Sequence, residues 1–310
     1  MFAMTTGGDQ CMDAIKRVLL VGGTHGNELI GIHLVRKFEH RPTLVARSSF
    51  ETLTLLGNPR AIEKGSRYID KDLNRCFDFQ AIQQKQQGHL YEIQRAREIS
   101  QKFGSGGQLP VDLIVDQHST TANAGIMLIL DSLDTFTLKL VAYLNAINPD
   151  IKIYSSAKSG RKRDSLRSIT NYRICIEVGP LAHGTLQSEL FQQTEALVYG
   201  TLDYVERYNN GSTISLEKQS LTLYNYIGMV DYPRNQIGDI QATIHPQRQY
   251  QDYKAMNPGD PMFLTFDGGT ITYQGDTTVY PIFINEAAYY EKGIAMVLTE
   301  KQNYTNRHFG

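Results

Sequence analysis

The stretch Gly22-Gly23-Thr24-His25-Gly26-Asn27-Glu28 constrains this chain more than any other. The apolar run Val18 to Val21 precedes it and reads as a buried strand; Leu29 to Val35 follows and reads as a buried helix. Glycines let the backbone turn sharply between the two. Such a strand-turn-helix belongs to α/β architecture, and open α/β sheets bind ligands at the carboxyl edge of their strands. Asn27 reads as the helix N-cap, which puts Glu28 in the first helical turn. His25 and Glu28 are then neighbours at a strand end, and a neutral imidazole with a carboxylate are two of the ligands a catalytic zinc takes. The chain has eight histidines, so one His-x-x-Glu pair carries little alone; a third ligand and a base give it weight.

Both candidates lie on later strands. Val111 to His118 is an apolar run ending in Asp116-Gln117-His118. Strand alternation puts Asp116 and His118 on one face, so His118 is the third ligand and Asp116 a carboxylate that orients a ligand from behind. Arg173 to Val178 is another core strand, with Glu177 among apolar neighbours. A glutamate is rarely buried there without a partner or a purpose, and a partly desolvated carboxylate beside a metal site is a good general base.

The segments between supply helices and loops. Thr43 to Gly57 reads as one or two strands, broken by Asn58-Pro59-Arg60. Glu63 to Phe77 is too charged for a strand; it is either a solvated loop or an anion-recognition loop, because Arg67, Asn74 and Arg75 offer convergent donors. Leu90 to Phe103 has a helical apolar period stopped by Gly104. Gly125 to Leu130 reads as a strand, Thr135 to Asn148 as a helix and Ile151 to Tyr154 as a short strand. Lys158 to Arg167 is strongly basic: a solvated loop, a nucleic-acid contact, or a lid that carries arginine to an anionic substrate. Leu186 to Tyr208 reads as a long helix, and Asn209-Asn210-Gly211-Ser212 as a domain boundary. Beyond it, the runs Leu221 to Val230, Ile240 to Ile244, Met262 to Phe266, Thr278 to Ile284 and Gly293 to Leu298 read as short strands of a small β-rich domain. Within it, Tyr289 either packs on the surface or sends its hydroxyl into a cleft between the domains. The division expected is therefore 1–212 and 213–310.

Bulk properties narrow the function classes. A formal charge of −1 leaves no overall basic footprint for nucleic acid. No apolar run approaches the ~20 residues that span a bilayer, and Met1 to Asp13 lacks the apolar core of a signal peptide. Three widely spaced cysteines, Cys11, Cys76 and Cys175, argue for a reducing cytoplasm over a disulfide framework.

Taken together, these stretches resemble the aspartoacylases, zinc amidohydrolases of the aspartoacylase/succinylglutamate desuccinylase family related to the zinc carboxypeptidases. The resemblance runs from Val18 to about Lys292. Its signatures are the Gly22 turn, Arg67-Tyr68-Ile69-Asp70, Asp72-Leu73-Asn74-Arg75, Asp116 through Thr121, Arg167-Ser168-Ile169, Ile176 through Pro180, Val230 through Arg234, His245-Pro246, Pro258 through Thr265 and Asn285 through Lys292. It implies a zinc-carboxypeptidase-like α/β/α sandwich with a mixed sheet, followed by a β-rich domain that caps the site. It implies one zinc ion per subunit on His25, Glu28 and His118, Glu177 as general base, and Arg67 polarising the scissile carbonyl. It assigns Asn74, Arg75, Arg167 and Tyr289 to the carboxylates of a small anionic N-acyl amino acid, typically N-acetyl-L-aspartate. Two positions depart from the family pattern: Arg163 stands where a tyrosine is usual, adding a guanidinium to the substrate-binding set, and Ser119 stands where asparagine is usual. The alternatives are a deacylase for other N-acyl amino acids, aromatic ones included, a desuccinylase-like enzyme, and a non-catalytic binder of zinc or acidic metabolites. No nucleic-acid or membrane partner is expected, and a homo-oligomer is compatible with the sequence.

Overall fold

A computed structural model describes residues 14–78, 89–157, 159–160, 164–212 and 220–305. Strand β1 (Arg17–Gly22) leads through the glycine turn into α1 (Leu29–His40), and β2 (Glu51–Leu56) and the short α2 (Pro59–Lys64) follow. Then come α3 (Tyr91–Phe103), β3 (Leu113–Ser119), β4 (Gly125–Leu130), α4 (Thr135–Ile147), β5 (Lys152–Ser155), β6 (Tyr172–Gly179) and α5 (Ser188–Asn209). The C-terminal part holds β7 (Leu221–Val230), β8 (Ala242–Ile244), β9 (Pro261–Thr265), β10 (Thr270–Thr272) and β11 (Met296–Tyr304).

Eight strands form one mixed sheet in the order β11-β7-β5-β4-β6-β3-β1-β2. β2, β1, β3 and β6 run parallel, so their carboxyl ends meet at one edge; β4 turns back against β6. β3 is buried along its whole length, which is why it reads as a near-continuous apolar run instead of an alternating one. Alternation along β1 feeds two cores: Val18 and Leu20 pack with Ile30, Leu34 and Phe38 of α1 and with α4 and α5. Leu19 and Val21 pack on the opposite face with Ile93, Ala96, Ile99 and Phe103 of α3. Each large apolar side chain buried in these layers contributes roughly 1.5–3 kcal/mol. The result is the α/β/α sandwich with a mixed sheet that the sequence implies.

Several local readings need correction. α1 starts at Leu29 with Glu28 at its N-cap (φ −100°) and no side-chain cap, so Asn27 is not the cap and Glu28 precedes the first turn. The Glu28 carboxylate is drawn to two histidines instead. Of the one or two strands read in residues 43–57, one forms, β2, after a 3₁₀ turn at Pro42–Leu44. Asn58 does more than break that strand: its side chain caps α2, accepting from the Ala61 amide with Pro59 in the first turn. Residues 278–284 form no regular strand and make only isolated bridges, Met256 to Val279 and Ile282 to Val297. Pro281 has no N–H to give a ladder, and Phe283 sits at φ 52°, outside extended geometry. The β-rich segment is also not one separate sheet. β7 and β11 pair with each other and extend the main sheet through β5, while β8, β9 and β10 make a small antiparallel sheet with its own core around Tyr232, Met256 and Phe263.

Glycine is required where the strand meets the helix. A Cβ on Gly22 would lie 2.1 Å from the Gly31 carbonyl oxygen, and Gly23 has φ +68°. Backbone contact between β1 and α1 at this point is what brings residues 25–28 to the sheet edge.

Candidate active site

His25 lies in the turn after β1, Glu28 at the N-cap of α1, and His118 near the end of β3. The three are buried, and their ligand-type atoms all lie within 4.8 Å of one another, the one such His/Cys/Asp/Glu cluster among the described residues. Both imidazoles turn Nδ1 inward: His25 Nδ1 is 2.7 Å from Glu28 Oε1, and His118 Nδ1 is 2.8 Å from Glu28 Oε2. Both turn Nε2 outward onto a carboxylate, His25 to Asp72 Oδ1 at 3.0 Å and His118 to Asp116 Oδ2 at 2.8 Å. A carboxylate on the outer nitrogen fixes the proton there and leaves the inner lone pair for a metal. The two inner nitrogens face each other at 3.2 Å, an arrangement of donors that a shared cation satisfies. Two nitrogens, one carboxylate and two carboxylates behind them fit a zinc-type divalent ion.

Electrostatics follow from burial and these neighbours. Burial pushes the Glu28 carboxyl up, but His25 and then His118 hold it well below the carboxylate range. Burial pushes His118 down, and Asp116 with Glu28 raise it well above an ordinary imidazole. Asp72 is held low against its burial, first by His25 and then by Arg67 and Lys292.

Glu177 lies beside His118 in the β3–β6 register and is buried. Its carboxyl is pushed up to about 8, mainly by burial, with Glu28 and Glu286 adding to the rise and His118 and Arg67 opposing it. Arg67 bonds Glu28 Oε1 through Nη1 at 2.9 Å. Its loop is pinned by Glu92 of α3, which is fully buried and accepts from the amides of Ile69, Asp70 and Lys71 and from Asn58 Nδ2. The charged stretch 63–77 is therefore a wall of the site and not a solvated loop.

A cavity of about 230 Å³ opens over this centre. His25, Glu28, His118, Glu177 and Arg67 line it, as do Asn74, Arg75, Arg167 and Tyr289. Arg163 lies outside the described residues, as do Lys158, Arg161 and Lys162 of the same basic stretch. Asn74 Nδ2 is 3.4 Å from His118 Nε2, and its Oδ1 accepts from the Leu166 amide. Arg167 is buried on Asp131, with Nη2 at 2.9 Å and Nε at 3.1 Å. Tyr289 stands on a 3₁₀ turn at Ala287–Lys292.

Four contributors escape the sequence reading. Asp72 bonds His25 and Lys292 Nζ at 2.6 Å and caps the 3₁₀ turn at Leu73–Arg75 through the Asn74 amide. Lys292 reaches it from the C-terminal segment. Glu286 ties that segment to the loop after β3, accepting from the hydroxyl of Thr120 and the amides of Thr121 and Ala122; burial notwithstanding, His183 and Thr120 hold its carboxyl at about 2. Glu92 is the fourth. The position of Asp72 just before a turn is a capping signal; the others carry no local pattern.

An α/β/α sandwich with a His-Glu-His donor set and a buried carboxylate at its carboxyl edge defines a class of amide-cleaving hydrolases, and comparison with known proteins agrees. Residues 14–205 match the succinylglutamate desuccinylase/aspartoacylase catalytic domain, and residues 219–301 match the AstE/AspA barrel-sandwich hybrid domain. A protein of Nostoc sp. described as a probable aspartoacylase is 53% identical over 94% of this chain and 98% of its own length. The N-acyl-aromatic-L-amino acid amidohydrolase (carboxylate-forming) of Mus musculus is 39% identical over 94% of this chain and 93% of its own. The crystal structure of murine aminoacylase 3 superposes with a TM-score of 0.89 at 38% identity, covering 94% of this chain and 97% of that one. The chain belongs to the succinylglutamate desuccinylase/aspartoacylase family and is an amidohydrolase. Among the described residues no helix is long and apolar enough to cross a membrane.

Proposed function

We propose that this protein hydrolyses N-acetyl-L-aspartate to L-aspartate and acetate. The observation that carries the reading is the lining of one cavity by the His25–Glu28–His118 donor set, Glu177, Arg67 and the cationic and polar groups Asn74, Arg75, Arg167 and Tyr289. A zinc ion on His25, Glu28 and His118 would supply Lewis acidity for a water and for the scissile carbonyl. Glu177 takes one proton from the attacking water, whose oxygen bonds to the acetyl carbon. Burial raises the proton affinity of this carboxyl above that of an exposed glutamate, which suits a group that must hold a proton and then give it back. Arg67 donates to the oxyanion that develops on the carbonyl oxygen, an interaction worth about 3 kcal/mol in comparable sites. The C–N bond then breaks, and the proton held by Glu177 passes to the departing amine. Asn74, Arg75, Arg167 and Tyr289 hold the carboxylates of the aspartyl part.

On this reading the chain divides functionally at residue 212: the first part carries ligands and base, the second closes the pocket with Tyr289. Two buried free thiols, Cys76 and Cys175, support a reducing cytoplasmic location. A second reading, hydrolysis of N-acyl aromatic amino acids, is favoured by the ring pair Phe283–Tyr289, 5.5 Å apart at the cavity wall. The deciding experiment is turnover of a panel of N-acyl amino acids with metal content measured alongside. N-acetyl-L-aspartate is expected to give the highest kcat/KM; a preference for aromatic substrates would replace the first reading with the second.

A further inference from the structure

On β6, Arg173, Cys175 and Glu177 alternate onto one face, and all three line the cavity. Arg173 is therefore about 13 Å along the strand from the base, at roughly 3.3 Å per residue. It is buried, as is Arg167. Both guanidiniums approach the same carboxylate oxygen: Asp131 Oδ2 is 2.9 Å from Arg167 Nη2 and 3.8 Å from Arg173 Nε. Asp131 Oδ1 accepts from Ser156. Burial pushes the Asp131 carboxyl up, and Arg167 and then Arg173 hold it down, so Asp131 is a charge at neutral pH.

Asp131 takes the Nε/Nη2 edge of Arg167, the edge that best matches a carboxylate. It thus both fixes that guanidinium and draws down the potential it offers to a ligand. Arg173, behind the same oxygen, acts in the opposite sense. In N-acetyl-L-aspartate the side-chain carboxylate is the one farther from the scissile carbonyl, and Arg173 and Asp131 lie on the side of Arg167 away from Asp116, whose Oδ2 is 3.6 Å from Arg167 Nη1. We infer that Asp131 and Arg173 are specificity-determining residues that set, with opposite sign, the affinity of the Arg167 end of the cavity for a substrate's side-chain carboxylate. The inference rests on the hydrolytic reading above.

The test compares N-acetyl-L-aspartate with N-acetyl-L-asparagine, its near-isosteric analogue with an uncharged side chain, on wild type, Arg173→Met, Arg173→Lys, Asp131→Asn and the Arg173→Met/Asp131→Asn double variant. If wild type hydrolyses neither compound, the hydrolytic reading fails and the ratios below do not arise. Given wild-type turnover, Arg173→Met lowers the aspartate-over-asparagine ratio of kcat/KM about tenfold, through KM, the size of one charge contact across a buried site. Arg173→Lys restores most of the ratio, Asp131→Asn raises it, and the double variant returns near wild type. A merely structural role impairs both substrates alike and gives Arg173→Met and Asp131→Asn the same sign; either result overturns the inference. Should Arg173→Met not fold, the Asp131→Asn and Arg173→Lys ratios decide it alone.

Discussion

The sheet edge and the C-terminal segment at 283–292 both supply side chains to the cavity, but they are built differently. His118 and Glu177 sit on adjacent, fully paired parallel strands whose neighbours are buried apolar residues. Their positions are fixed by ladder hydrogen bonds and by core packing on both faces of the sheet. Tyr289 and Lys292 stand on a 3₁₀ turn flanked by Phe283 and Asn285, both at positive φ. That segment has no ladder and is held by scattered contacts: Phe283 and Ile284 in the core, the Asn285 amide on the Ala295 carbonyl, Glu286 on the loop after β3 and Lys292 on Asp72. The difference teaches that the centre of the site is positioned by regular strand pairing, and the C-terminal segment over it by individual contacts that side-chain changes can remove one at a time. Changes at the edge should abolish metal binding or chemistry; changes in the segment should alter substrate affinity and local stability.

The largest expected effect is on the edge. His118→Ala removes one of three donors and takes away the imidazole that stands between the Asp116 and Glu28 carboxylates. On the proposed zinc reading, bound metal should fall from about one per chain to near zero by elemental analysis, with turnover down at least about a thousandfold, as expected when a metal-dependent rate enhancement is lost. Retention of a full equivalent of metal would break the comparison at its strongest point. Next is Asp72→Asn, which touches both regions. It weakens the hold on His25 and on Lys292, and zinc affinity should fall about 10–100-fold. Lys292→Met cuts only the C-terminal segment's side of that contact, so it should leave zinc affinity within about threefold and raise KM. An equal loss of zinc affinity in both variants would show that the segment, too, positions the metal.

Smaller again is Glu286→Ala. It removes the acceptor of the part-buried Thr121 amide and of the buried Thr120 hydroxyl, and leaves the Ala122 amide only its contact with Thr120 Oγ1; an orphaned buried group costs about 1–3 kcal/mol. Denaturant unfolding should report a loss of a few kcal/mol, with zinc stoichiometry unchanged. Comparable in size, but visible only as a pH dependence, is the effect of a carboxylate that holds the same segment from outside it. Asp252, whose Oδ1 accepts from the Ile284 amide, is pushed up to about 7 by burial. A folded-state carboxyl above its unfolded value of about 3.9 binds its proton more tightly in the folded chain. Its contribution is therefore free of penalty below the unfolded pKa and becomes destabilising as pH rises toward about 7, by up to about 1.4 kcal/mol per pH unit. Glu28, Asp72 and Asp116, held low, act in the opposite direction. The Asp252→Asn variant should thus gain stability on wild type as pH rises from 4 to 7, and a gain that is flat with pH would contradict the burial of its charge.

What was legible in the sequence follows the same divide. Strands covered on both faces announce themselves as apolar runs, so the polar exceptions in them, Asp116, His118 and Glu177, stand out. The glycine turn marks His25 and Glu28 because only a residue without Cβ fits between β1 and α1 there. The helical period from Leu90 to Phe103 identifies α3. By contrast, nothing local tells that β7 and β11 join the main sheet, since Val297 pairs with Met229 across many intervening residues. Glu92 looks like an exposed first-turn glutamate, yet it is wholly buried under the Arg67 loop. Asp131 and Glu286 lie in irregular connections where no periodicity applies, and their meaning comes only from partners far away in the chain. Asn27 misled because its residue type favours capping while the histidines claim the Glu28 carboxylate.

The central claim is that Glu177 moves the proton at a metal site built by His25, Glu28 and His118. Its most direct test is Glu177→Gln, an isosteric change that leaves the donor set intact, with zinc content and turnover of N-acetyl-L-aspartate measured on the same preparation. The account predicts one zinc per chain and a fall in kcat of about a thousandfold or more, within the range general acid–base catalysis supplies. Turnover within tenfold of wild type at full zinc occupancy would contradict it.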